Sequence, residues 1–166
     1  DVDAIQIFLP TGEHTGHDGV WNSVSRLRPE TRDSANHSLV FSLAVAMVDG
    51  ELGPDQYSDT KLRDQNVLSL VDRTTLQSDS ALDVHWPGAA VTRVVVKTFN
   101  GQSHEATTLY PPGPHRNRLS DQQIQEKFGK LAGPVLGKSK RDAIIQTVDQ
   151  LDNLASAREL TVHLRN

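Results

Sequence analysis

His37-Ser38-Leu39-Val40-Phe41-Ser42-Leu43-Ala44-Val45-Ala46-Met47-Val48-Asp49-Gly50 is the stretch on which the fold turns. Between Leu39 and Val48 the residues are apolar nearly all round, interrupted only by Ser42. A helix with no polar face is buried on several sides, so this spacing predicts a helix central to its domain. Gly50 is suited to a left-handed C-terminal cap. The run is also far shorter than the ~20 apolar residues that a membrane-spanning helix needs.

Upstream, Val2, Ala4, Ile5, Ile7 and Leu9 give a mostly alternating apolar pattern stopped by Pro10, which reads as a strand. Thr11 to Gly19 is rich in Gly and His and reads as a loop, and Trp21 to Pro29 fits neither period. The chain opens on Asp1 with no initiator Met and no signal-peptide pattern. With strand-like alternation from the first residues, it reads as a piece of a longer protein.

Downstream, Gly53-Pro54-Asp55 restarts the chain, since Pro suits a first helical turn. Val67, Leu68, Leu70 and Val71 predict a short helix, Thr74-Thr75-Leu76 a strand, and the Asp-rich segment from Ser78 to Gly88 a loop. From Val91 to Tyr110, β-rich residues flank Asn100-Gly101, a dipeptide that tolerates positive φ at both central turn positions and so predicts a hairpin. Pro111-Pro112-Gly113-Pro114 breaks regular structure. Beyond it the period turns helical. Ser120 with Gln123 forms a capping-box pattern, Ile124, Phe128 and Leu131 make a stripe, and Gly133-Pro134 is expected to end that helix. A second helix carries Ala143, Ile144, Val148 and Leu151. The fold class expected is therefore α+β, with residues 1–118 as an α+β domain and 119–166 as a helical segment.

The 166 residues are 36% apolar and 23% charged, compatible with a packed core. With 17 Lys and Arg against 21 Asp and Glu there is no basic stripe, which argues against a nucleic-acid partner. No cysteine is present, so disulfides, thiol nucleophiles and cysteine-ligated metals are excluded.

The run from Arg32-Asp33-Ser34-Ala35-Asn36-His37-Ser38 into the apolar helix and Asp49-Gly50 resembles the MmgE/PrpD family. That family includes 2-methylcitrate dehydratases, cis-aconitate decarboxylases and iminodisuccinate epimerases. Three further pieces follow in the family's order: Asp55-Gln56-Tyr57-Ser58-Asp59 with Leu62-Arg63-Asp64, the Asn100-Gly101 hairpin, and Gly113, Asn117, Leu119-Ser120 and Lys127-Phe128. The resemblance covers essentially the whole chain. It implies a C-terminal region in which residues up to about Arg118 form a lid and the later helices rejoin an all-helical domain. It also implies proton transfer next to a carboxylate of a small polycarboxylate substrate, by dehydration, decarboxylation or epimerisation. No metal or organic cofactor, no nucleic acid and no membrane partner are implied. A homodimer is, in the cytoplasm or, in a eukaryote, the mitochondrion.

The family's main acid/base residues would precede Asp1, leaving the catalytic residues of this chain unknown and the chain alone inactive. The substrate-binding residues that the resemblance implies here are His37, Ser38 and Phe41. Phe41 stands where the family often has a tyrosine, and lacks the hydroxyl that would donate a hydrogen bond or proton. Each has a plainer structural explanation: His37 and Ser38 as helix caps, Phe41 as core. Arg26, Arg28 and Arg32 are suited to pairing with a carboxylate, or are ordinary surface charges. Glu13, His14, His17 and Asp18 are metal-ligand types in a Gly-rich loop, or simply a solvated polar loop. No nucleophile-elbow or phosphate-loop glycine pattern is present. A different class of function is a non-catalytic lid or assembly module that pairs with a separate helical chain.

Overall fold

The computed structural model describes residues 1–12 and 24–165 and is an α+β protein. Its elements are β1 (Val2–Leu9), α1 (Val24–Leu27), α2 (Arg32–Asn36), α3 (Leu39–Asp49), a 3-10 turn (Pro54–Tyr57), α4 (Asp59–Leu62), α5 (Gln65–Asp72), β2 (Thr74–Ser78), a second 3-10 turn (Ser80–His85), β3 (Thr92–Thr98), β4 (Ser103–Thr108), α6 (Asp121–Asp149), a third 3-10 turn (Leu151–Asn153) and α7 (Arg158–Val162). Residues Asp1–Pro111 and Pro112–Asn166 form two compact units.

In the first unit the four strands make one mixed sheet in the order β2-β1-β3-β4. β1 runs parallel to β2 and antiparallel to β3, which in turn is antiparallel to β4. A parallel pair cannot be joined by a tight turn, and here helices α1 to α5 make the crossover from β1 to β2. The alternation read at the N-terminus aims Ile5 and Ile7 at those helices, where they share a core with Val40, Phe41, Ala44 and Val45 of α3 and Val67 and Val71 of α5. Register places Ile5 beside Val96 and Ile7 beside Val94, so the same face of β3 packs against that core.

On the opposite face Arg93 lies over Phe8, its guanidinium carbon 4.2 Å from the ring centroid. The same guanidinium reaches Asp79 at 2.5 Å. Asp79 also caps the second 3-10 turn by accepting from the Ala81 amide at 2.9 Å. The amide and the guanidinium hold its carboxyl below the ordinary value. The stretch expected to be a loop from Ser78 to Gly88 thus contains a capped turn, because a short Asp-led cap needs no apolar period to form.

Three other expectations are corrected. α3 buries one face only: Val40, Phe41, Ala44 and Val45 are inside, whereas Met47 and Val48 are each 38% exposed. Apolarity all round does not require burial all round in a unit with helices on one side. The hairpin turn closes with the Gly101 amide donating to the Thr98 carbonyl, so Phe99 and Asn100 are its central residues and Gly101 follows at φ 83°. One left-handed residue after a tight turn is the longer-loop solution to hairpin geometry. Finally, the first helix of the second unit does not stop at Gly133-Pro134. It runs through Pro134, and the break falls at Gly137, with φ 74° and ψ 166°. That conformation is open to glycine almost alone, whereas proline removes one donor and bends a helix without reversing it.

Two helical limbs of α6 therefore flank Gly137. Ile124 and Phe128 from the first and Ile144, Ile145 and Val148 from the second line an apolar groove of about 330 Å³. Ser120 and Gln123 form the expected capping box at its start.

Candidate functional site

The joint between α2 and α3 carries the residues singled out by sequence. Thr31 and Ser34 close a reciprocal capping box on α2, which ends at His37. Ser38 then caps α3, its hydroxyl accepting from the Phe41 amide at 3.0 Å. The same hydroxyl donates to the Arg26 carbonyl, while the Arg26 guanidinium donates to the His37 carbonyl at 2.7 Å. This two-way clamp fastens the end of α1 to the joint.

The consequences for the three expected binding residues differ. Ser38 is 1% exposed, and its single O–H is already engaged. Phe41 is fully buried, its ring centroid 6.3 Å from that of Tyr57. His37 alone presents its side chain to solvent. A hydroxyl has one proton to give, so a carboxylate arriving here would find its free donor at the imidazole rather than at Ser38.

A second polar cluster joins two of the sequence motifs that are separate along the chain. Asp49, at the end of α3, accepts from Lys61 at 2.5 Å and from Gln56 at 3.0 Å. Gln56 also accepts from the Gly53 amide at 3.0 Å, and Tyr57 shares a hydrogen bond of 2.9 Å with Ser42. The Lys61 ammonium, and after it Gln56, hold the Asp49 carboxyl below its ordinary 3.8, and Asp49 in turn raises Lys61 above 10.5. In the sequence Asp49 stands out only as the neighbour of the Gly50 cap, and nothing local joins it to Gln56 and Lys61. The available signal was an acid at a helix end followed by a Lys-containing turn.

Of the three arginines named from the sequence, Arg26 is committed to the clamp and Arg28 pairs with Asp72. Arg32 is exposed on the first turn of α2. Arg28 also borders a cleft of about 320 Å³, together with Glu30, Asp59, Leu62, Arg63 and Leu68. The cluster Glu13, His14, His17 and Asp18 lies outside the described residues. Among those described, no group of three or more His, Asp and Glu is placed to hold a metal ion, and no helix is long and apolar enough to cross a membrane.

An α+β unit whose central helix opens at a His-Ser joint and closes at an Asp-Gly end, followed by a helical unit, defines a class. Residues 1–153 match the MmgE/PrpD C-terminal domain, and the chain belongs to the MmgE/PrpD family. It is 31% identical over 146 residues to the cis-aconitate decarboxylase-like protein oryM of Aspergillus oryzae. That alignment covers 87% of this chain and 29% of the relative, so the chain spans less than a third of the relative's length.

Proposed function

We propose that this chain serves as the C-terminal domain of a lyase or isomerase that moves a proton next to a carboxylate of a small polycarboxylate. The observation that carries this reading is the family match over residues 1–153, combined with the solvent-facing His37 at the α2–α3 joint. In this reading His37 donates a hydrogen bond to a substrate carboxylate. Ser38 fixes the joint through its two hydrogen bonds, and Phe41 anchors the helix from below. Dehydration, decarboxylation and epimerisation share a carbanion-like centre beside a carboxylate, which needs a poised base and cations around it. The base lies outside this chain, and no metal or organic cofactor enters. The relative's description as decarboxylase-like favours a lyase.

The test is a panel of 2-methylcitrate, cis-aconitate and iminodisuccinate, run on the full-length protein, on its His37→Ala variant and on this chain alone. The expected result is turnover of one polycarboxylate by the full-length protein, about tenfold or more lost from kcat/KM in His37→Ala, and none from the chain alone. Sustained turnover by the chain alone would place the base within residues 1–166 and end this assignment of roles.

A second reading, a non-catalytic module that pairs with a separate helical chain, draws on the burial of Phe41 and the absence of a hydroxyl there. It is favoured if the full-length protein turns over no member of the panel yet co-purifies with a helical partner.

A further inference from the structure

We infer that the cleft between the α1–α2 connection and helices α4 and α5 binds a free basic amino acid, a function separate from the polycarboxylate chemistry proposed above. The cleft encloses about 320 Å³, at the small end of the ~300–1,000 Å³ usual for small-molecule sites. Its charges decide the ligand. The Arg28 guanidinium is already paired with Asp72. Glu30, Asp59 and Arg63 are exposed, and among the described residues their side chains have no hydrogen-bond or ion-pair partner. The unpaired set is therefore two carboxylates and one guanidinium.

A polycarboxylate meets net negative charge here and is repelled. A simple zwitterion satisfies Arg63 and one carboxylate but leaves the other unmatched. A diamino acid brings two ammonium groups and one carboxylate, the mirror of what the cleft offers. Its carboxylate fits the fork of the Arg63 guanidinium, and its ammonium groups face Glu30 and Asp59. Its methylene stem lies along Leu62, which is nearly buried, and the half-buried Leu68. Long cationic side chains bury their stems on apolar surface in the same manner.

Calorimetric titration of the chain at low ionic strength tests this, because exposed charge pairs are screened by salt. The probes are L-lysine, cadaverine, which lacks the carboxylate, and 6-aminohexanoate, which lacks the α-ammonium. Saturable binding of L-lysine, about tenfold tighter than either probe, is the expected result. Arg63→Ala should bring L-lysine down to the level of cadaverine. The double substitution Glu30→Gln, Asp59→Asn should abolish binding, and Glu105→Gln on β4 should leave it unchanged. Far-UV circular dichroism of each variant, matching the parent, ties a loss to the site rather than to unfolding. No saturable heat with L-lysine at millimolar concentration would overturn the inference. So would equal binding of cadaverine, or undiminished L-lysine binding in Arg63→Ala.

Discussion

Ser38 does two jobs with one hydroxyl, capping α3 through the Phe41 amide and holding the Arg26 carbonyl. Replacing it with Ala removes a helix cap together with the hydrogen bond to the Arg26 carbonyl, for an expected loss of about 2 kcal/mol. Urea denaturation measures this directly, and a change under about 0.5 kcal/mol would show the clamp to be idle. Asp49 gives a pH-dependent counterpart. Its folded carboxyl sits below 3.8 because Lys61, then Gln56, stabilises the charged form. Its contribution is complete above 3.8 and is lost as pH falls through the lowered folded value. Lys61 behaves oppositely: its contribution is complete below 10.5 and is lost as pH rises through its raised value. Asp49→Asn should therefore lower the melting temperature at neutral pH and flatten the acid limb of stability against pH. Melting curves recorded from neutral pH down to the acid transition would reveal it, and an unchanged acid limb would remove Asp49 from the account.

Helix α6 tests how one glycine can shape an element. Gly137, at φ 74° and ψ 166°, occupies a region that a side chain reaches only at a cost of about 1–3 kcal/mol. Gly137→Ala should destabilise the helical unit by about that amount. Gly129 lies inside a helical limb, where an added Cβ would meet Arg141 at an ordinary 3.7 Å. Gly129→Ala should stabilise by about 0.5–1 kcal/mol, since glycine in a helix carries an entropic penalty of that size. Thermal melts followed by circular dichroism compare the two variants. If both shift in the same direction, the break does not depend on the backbone of Gly137. The contrast also shows how legible this element was. The capping box at Ser120 and the stripe of Ile124 and Phe128 could be read locally, whereas the breaker was expected at Gly133-Pro134, the stronger local signal. Which of two neighbouring breakers acts is decided by where the second limb finds its packing partner, and no window of sequence contains that.

Across the molecule, each unit leaves apolar surface in water. The helical unit has its groove between Ile124, Phe128 and Val148, with Leu131 and Val135 also exposed. The first unit exposes Met47, Val48 and Phe99. Contiguous apolar surface marks an interaction site, and we propose self-association of this chain as the expectation to be tested. Sedimentation velocity should show association that rises with concentration and weakens in an Ile124→Gln, Val148→Gln double variant. A clean monomer at high concentration would remove the expectation.

Composition and period alone determined the α+β class, the strand at Val2–Leu9, the helix after Ser38 and the hairpin around Asn100-Gly101, because each depends on neighbours within one or two turns of chain. The motif order also carried the family. Tertiary structure alone decided which face of α3 is buried, that Ser38 spends its proton on Arg26, and that Asp49 meets Gln56 and Lys61. Those outcomes depend on which residues distant in sequence come within hydrogen-bonding reach, a property of the folded chain and not of any segment in it.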